Sequence, residues 1–211
     1  MPQRIKMVER DPNIRNKDFE EVNLGYSDEQ ALTEAKRCLH CKNPMCVTGC
    51  PVEVNIPEFV HQLATNNPAE AIKVIKSKSN LPAVCGRVCP QEKQCESKCI
   101  LGIKQEPIAI GNLERYAADW AAKNIKEESF DIKPNGIKVA VIGSGPAGLT
   151  CAGDLAKLGY DVTIFESLHD SGGVLRYGIP EFRLPVEVLD REVDSLKKLG
   201  IKFVFNYLIG R

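Results

Sequence analysis

The sequence has no net charge, no long apolar run and no secretory leader, and each absence removes a class of function. Lys+Arg and Asp+Glu stand at 28 each in 211 residues. So balanced a chain offers no electrostatic footprint for nucleic acid or for an anionic membrane. Its longest apolar runs, such as Val139 to Ile142, are far too short to span a bilayer. The opening stretch MPQRIKMVERDPNIRNKDFEEV is polar and charged and lacks the apolar segment of a secretory signal. A soluble, cytoplasmic protein is expected. Apolar residues make up 43%, enough for a sizeable core in one or two domains. No repeat or low-complexity tract is visible, apart from two groups of cysteines.

Cysteine is what the chain has in excess. Eight of its nine fall in two tight groups. The first, CLHCKNPMCVTGCP, is C-x2-C-x4-C-x3-C-P over residues 38–51. The second, CGRVCPQEKQCESKC, is C-x3-C-P-x4-C-x3-C over 85–99. A disulfide framework does not fit a reducing cytosol. Eight thiols could hold two zinc ions, although a structural zinc site usually takes two C-x2–4-C pairs and nothing more. The compact run ending in Cys-Pro matches the ferredoxin pattern better. There three cysteines hold one iron–sulfur cluster and the cysteine before proline reaches across to another. By that logic Cys38, Cys41 and Cys46 hold one cluster, Cys50 joins Cys89 and Cys95 at the second, and Cys99 returns to the first. The ninth thiol, Cys151, reads as a small buried hydrophobe. His40, His61 and His169 read as isolated, with His40 solvated or in a supporting role.

Residues 1–135 read as a helical, loop-rich domain. Ser27 and Gln30 form a capping box ahead of SDEQALTEAKRCLH. IPEFVHQLATN, PAEAIKVIKSK (opened by Pro68) and GNLERYAADWAAKN make three more helices, the last with a stripe of Leu113, Tyr116 and Trp120. KSKSNLPAV reads as a charged, solvated loop, and KEESFDIKPNG as a polar linker. From residue 136 the pattern becomes strand, turn and helix. KVAVIG is read as a buried strand, with DVTIFES and IKFVF as the next two. GLTCAGDLAKLG and PVEVLDREVDSLKKLG are the helices, closed by Gly159 and Gly200. This is the start of a doubly wound, Rossmann-like α/β sheet.

VIGSGPAG places Gly143, Gly145 and Gly148 as G-x-G-x-x-G between a strand and a helix. Gly143 permits the turn, Gly145 lets a pyrophosphate approach the backbone, and Gly148 lets helix and strand pack closely. The helix N-terminus then offers N–H groups and a positive dipole end to the phosphates. Glu166 closes the second strand and is placed to bind a ribose hydroxyl. The order strand, loop, helix, strand and acid points to a dinucleotide, without choosing NAD or FAD. A two-electron carrier beside two one-electron clusters makes an electron conduit, which zinc would not explain. A zinc-stabilised, non-redox docking protein is the rival from another class.

Together, the cysteine groups, CGRVCP, PIAIGNLERY, VIGSGPAGL and GGVLRYGIPEFRLP resemble the small subunit of bacterial glutamate synthase. The same module is similar to the amino-terminal region of dihydropyrimidine dehydrogenase and to the larger subunit of an electron-bifurcating ferredoxin:NADP oxidoreductase. The resemblance runs from about Asn23 onward. It implies a helical domain with two [4Fe-4S] clusters, then an FAD domain into which an NADPH domain is inserted. Implied ligands are Cys38, Cys41, Cys46 and Cys99 for one cluster and Cys50, Cys89 and Cys95 for the other. Its fourth ligand is Glu114, with Cys85 as competitor. For FAD it implies the loop Gly143, Gly145, Pro146, Ala147 and Gly148, then Glu166 on the ribose. Gly172, Gly173 and Val174 would lie along the flavin side, with Arg183 at the flavin and Ile209 at the adenine end. The resemblance further implies a large, glutamate-forming catalytic subunit or another redox partner, and leaves homo-oligomerisation open. A complete member continues with a second glycine fingerprint for NADPH. This chain stops at Arg211, so a fragment or half of a split enzyme is expected, unable to oxidise NADPH unaided.

Overall fold

The computed structural model describes residues 3–125 and 131–210. They form two compact units, divided between Lys126 and Glu127. Part of the linker expected over 126–136 lies outside the described residues. All nine cysteines are free thiols.

The first unit is helical. Its helices are α1 (Pro12–Arg15), α2 (Asp28–Ala35), α3 (Met45–Thr48), α4 (Ile56–Ala64), α5 (Pro68–Lys76), α6 (Pro82–Val88) and α7 (Ile110–Asn124), with three short 3-10 turns between Gln91 and Ile103. The capping box is present: Ser27 accepts from the Gln30 N–H while the Gln30 side chain accepts from the Ser27 N–H. Helix α2 nevertheless stops at Ala35, short of the expected span, and leaves Leu39 exposed beside the first cysteines. Pro57, Pro68 and Pro82 sit in the first turns of α4, α5 and α6, where a missing N–H costs nothing.

Helix α7 is the hub and packs on α2, α4, α5 and α6. Leu113 and Ala117 are fully buried, Tyr116 is buried and Trp120 is half-buried, so the expected stripe faces the core. Phe59, Val60, Leu63, Ile72 and Ile75 of α4 and α5 fill the rest. KSKSNLPAV is not a solvated loop throughout. Ser79, Asn80 and Leu81 are buried, and Pro82 opens α6, which the proline concealed by punctuating the pattern.

A buried ion pair fixes the centre of this unit. Glu34 is fully buried and pairs with Arg37 at 2.6 Å. Its oxygens also accept from the Ile5 N–H at 2.7 Å and the Ala109 N–H at 2.9 Å. Arg37 donates on to the Glu106 carbonyl at 2.7 Å. One carboxylate thus joins the chain start, the end of α2 and the entrance to α7.

The second unit holds β1 (Lys138–Ile142), α8 (Pro146–Lys157), β2 (Asp161–Phe165), α9 (Val174–Tyr177), α10 (Val186–Lys198) and β3 (Lys202–Val204). The strands are parallel in the order β1-β2-β3, with Val141 beside Ile164 and Ile164 beside Phe203. Helix α8 packs on β1 and β2, and α10 beside α8. Val162, Ile164, Leu149, Ala152, Leu189 and Val193 are almost wholly buried. Gly159 and Gly200 take positive φ where α8 and α10 end, as expected of helix-closing glycines.

Strand β1 differs from the buried run expected of it. Only Val141 is buried, whereas Lys138, Ala140 and Ile142 are exposed. The register puts Ala140 beside Thr163, and Ile142 beside Phe165, on one face of the sheet. Helices cover the opposite face. Cys151 is likewise exposed, not buried, because its neighbours Leu149 and Ala152 take the sheet-facing side of α8.

Removing one member of a buried ion pair strands the other. Glu34→Ala is expected to lower unfolding stability by about 3–5 kcal/mol, read as a smaller urea midpoint. Paired replacement of Glu34 and Arg37 by apolar residues of similar volume is expected to cost less than Glu34→Ala alone.

Candidate functional site

The two cysteine groups converge. Cys38 follows α2, Cys46 lies in α3, and Cys99 sits between two 3-10 turns. Cys38, Cys41, Cys46 and Cys99 line a single cavity of about 370 Å³. Most of the rest of its wall is apolar, including Ile56, Val60, Ile108 and Ile110, with Asn43, Ser97 and Lys98 as its polar members. Gly49 makes the convergence sterically feasible: a Cβ there would stand 2.8 Å from the Gln94 carbonyl and 2.9 Å from the Lys98 side chain.

Burial pushes the Cys46 thiol up to about 11, and the neighbouring Cys99 and Cys38 push it further in the same direction. Cys38 is raised for the same reasons, burial first and then Cys99 and Cys41. Burial and neighbouring thiols thus both oppose the thiolate form of Cys38 and Cys46, which a bound cation would favour.

A second set lies on α6, α7 and the turns after Cys89. Burial raises Cys95 to about 12, with Glu96, Glu114 and Cys50 adding to the effect. Cys85 is raised by its hydrogen bond to Cys89, by burial and by Glu114, while the same bond lowers Cys89. Glu114 thus lies near both Cys95 and Cys85, Cys50 near Cys95, and Cys89 beside Cys85. A Cβ on Gly86 would stand 2.5 Å from the Arg115 amide nitrogen, so α6 and α7 touch backbone to backbone beside Cys85 and Glu114.

Among the described residues, no three His, Cys, Asp or Glu side chains come close enough to grip one metal ion. A polynuclear iron–sulfur cluster binds each thiolate to a different iron and takes a wider ring of ligands, which suits four thiols around one cavity. The histidines are not isolated, contrary to expectation. His40 takes a positive φ of 47° between Cys38 and Cys41, and its ring packs edge-on against His61 at 5.1 Å.

In the second unit the glycine loop leads into α8 as expected. Gly145 is the N-cap of α8 and makes no side-chain cap, the arrangement in which a helix N-terminus can receive an anion. A Cβ on Gly145 would meet nothing within 4 Å, whereas one on Gly148 would stand 2.0 Å from the Gly143 carbonyl. The space at Gly145 suits an incoming phosphate; that at Gly148 is taken by the fold.

Glu166 sits at the end of β2, buried, with both oxygens engaged. One accepts from the N–H and hydroxyl of Ser144, the other from the Leu168 N–H and the Ser167 hydroxyl. Burial pushes its carboxyl upward, but these hydrogen bonds outweigh burial and hold it below the ordinary value. Ser144 also accepts from the Gly172 N–H, and Gly173 lies against Gly145. The structure thus brings Gly143, Gly145, Pro146, Ala147, Gly148, Glu166, Gly172 and Gly173 together. Val174 opens α9 and is exposed. Arg183 and Ile209 lie on separate exposed turns. Ser144 was missed in the sequence; its position inside the glycine loop was the only signal.

Residues 15–126 match the family described as dihydropyrimidine dehydrogenase domain II, 4Fe-4S cluster. The chain belongs to that family. Residues 141–192 match the NAD(P)-binding Rossmann-like domain. Among curated relatives, the glutamate synthase [NADPH] small chain of Escherichia coli K12 is 38% identical over 210 residues, covering 99% of this chain and 44% of the relative. The Azospirillum brasilense protein of the same name is 36% identical over 200 residues, covering 93% and 41%. The NAD-dependent dihydropyrimidine dehydrogenase subunit PreT of Escherichia coli K12 is 38% identical over 196 residues, covering 91% and 47%. The chain thus spans less than half the length of these relatives. An iron–sulfur helical domain followed by a Rossmann-like domain is the architecture. No helix among the described residues is long and apolar enough to cross a membrane.

The glycines separate binding from folding. Gly145→Ala is expected to leave the thermal midpoint unchanged while weakening dinucleotide retention roughly tenfold or more, measured by equilibrium dialysis with FAD and with NADPH. Gly148→Ala is expected to lower the thermal midpoint itself.

Proposed function

We propose that this chain is the electron-transfer module of an NADPH-dependent oxidoreductase of the glutamate synthase small-subunit type. It holds two [4Fe-4S] clusters and FAD and serves a larger partner subunit that forms glutamate from glutamine and 2-oxoglutarate. The observation that carries the reading is the ring of Cys38, Cys41, Cys46 and Cys99 around one apolar cavity, with a second thiol and carboxylate set in the same helical unit. Reduction by NADPH belongs to the whole protein, of which the chain spans part.

Cys38, Cys41, Cys46 and Cys99 would hold the first cluster. Cys50, Cys89, Cys95 and Glu114 would hold the second, with Cys85 as the competing ligand because it faces Glu114 and donates to Cys89. The glycine loop, Glu166 and the Gly172–Gly173 turn would hold FAD, with Val174, Arg183 and Ile209 beside it. When bound, these groups supply exchange between hydride pairs and single electrons, and one-electron transfer.

The protein's own work is to bind, orient and exclude water. The N–H of His40 donates to Cys38, that of Val47 to Cys46 and that of Glu96 to Cys95, each favouring the thiolate. Ile56, Val60, Ile108 and Ile110 keep the first cavity dry. Leu39, Met45, Ile100 and Ile103 form its exposed apolar rim, a surface suited to a redox partner. Ser144, held by Glu166, orders the loop on which the pyrophosphate would rest.

A second reading, a pyrimidine-type reductase module, draws on the identity to PreT, which equals that to the Escherichia coli glutamate synthase small chain. Co-purification with a glutamate-forming large subunit supports the first reading; pyrimidine-dependent turnover with its own partner supports the second.

Metal, sulfide and flavin analysis of anaerobically purified protein tests the shared core. Iron and sulfide in equal amounts are expected, and zinc without sulfide would overturn the reading. Cys38→Ala is expected to remove roughly half the iron and sulfide and to leave the second cluster's spectrum intact.

A further inference from the structure

Four charged side chains outside the ligand sets meet beneath α6 and α7. Arg87, on α6 between Cys85 and Cys89, donates to Glu21 at 2.8 Å and to Asp119 at 2.9 Å. Arg115, on α7 next to Glu114, lies 3.1 Å from Glu21 and 3.3 Å from Asp119. Both guanidinium groups are buried, with side-chain exposures of 3% and 5%, while Glu21 and Asp119 reach the surface at 22% and 23%. Arg115 also donates to the Asn23 carbonyl at 2.8 Å, and its Nη1 approaches the Met7 sulfur at 3.7 Å. Two cations and two carboxylates close the group at zero net charge.

The glutamate comes from far away in sequence. Glu21 belongs to the arm before α2, whose Glu9 and Asn23 pair as an isolated antiparallel bridge. The group therefore ties three segments together: the arm, the helix carrying Cys85 and Cys89, and the helix carrying Glu114. Gly86 presses against the Arg115 backbone within it, so any shift of Arg87 or Arg115 moves α6 relative to α7. Buried charges this near a site act on it through a medium that screens them poorly.

We propose that Glu21, Arg87, Asp119 and Arg115 form a charge-balanced lock that positions the second ligand set and sets the reduction potential of its cluster. This rests on the two-cluster reading above. Arg87 and Arg115 are positioning residues, and Glu21 is the member whose charge can be removed with least disturbance. Without it the lock carries a net positive charge. Positive charge favours the reduced, more negative state of a nearby cluster, so its midpoint potential rises.

The test is a potentiometric titration of the full chain, following each cluster by electron paramagnetic resonance, with iron and sulfide measured on the same samples. Glu21→Gln is expected to keep the iron and sulfide content, to move the second cluster to a more positive potential and to leave the first in place. Glu21→Asp, which keeps the charge, is expected to return the second potential toward that of the unsubstituted chain. Asp119→Asn makes the same charge change from the other side of the lock and is expected to shift the potential in the same direction, which covers the case in which Glu21→Gln fails to fold. An unmoved second potential in a variant that retains both clusters overturns the proposal, as does an equal shift of both clusters. If the unsubstituted chain lacks a second cluster, the functional reading fails and the lock falls with it.

Discussion

The helical unit depends on one carboxylate. Glu34 is fully buried and accepts hydrogen bonds from three places that the sequence keeps far apart. Arg37, its ion-pair partner, stands immediately before Cys38, so the pair sets where the first thiol leaves α2. The Ala109 N–H sets where α7 begins, and α7 carries Glu114. A buried ion pair need not add net stability, because desolvation can cancel the attraction. Here it joins chain segments that apolar contact alone would leave loose: an oily core tolerates sliding, whereas a carboxylate with fixed donors does not.

Close backbone approach is the second device. At Gly49 the end of α3 meets the turn before Cys95, and at Gly86 helix α6 meets α7. Both contacts sit one residue from a cysteine, Cys50 and Cys85. The two candidate ligand sets are thus assembled where side chains are missing, and the thiols fill space that bulkier residues would have kept apart. The grouping that results pairs the first three cysteines of one motif with the last of the other. The two segments meet directly, α3 packing against the 3-10 turn that precedes Cys99.

The legible parts of this chain were those written in local chemistry. Ser27 and Gln30 announced a helix start, Gly159 and Gly200 announced helix ends, and G-x-G-x-x-G announced the loop before α8. Parts that depend on what covers a surface were not legible. The apolar run of β1 reads the same whether one face or two are covered, and Ala140 and Ile142 turn out exposed. Cys151 follows the rotation of α8, which spacing within one helix leaves ambiguous. Helix α6 begins after a polar stretch whose Ser79 and Asn80 bury themselves against the helices, a tertiary effect without local signature. The ion pairs of Glu34, Arg87 and Arg115 look in sequence like ordinary surface charge. Within the cysteine site, spacing exposed the thiols themselves; the convergence of Cys85 and Glu114 depends on a helix crossing.

The loop glycines also carry a historical consequence. Gly173 is held bare because a side chain there would run into Gly145, and Gly148 because it would run into Gly143. Among the described residues nothing stands within 4 Å of a Cβ placed on Gly145. A lineage of this domain that ceased to carry a nucleotide would keep the first two and let the third drift. Side chains accumulating at position 145 over intact glycines at 148 and 173 would mark descendants that kept the architecture and abandoned its cargo.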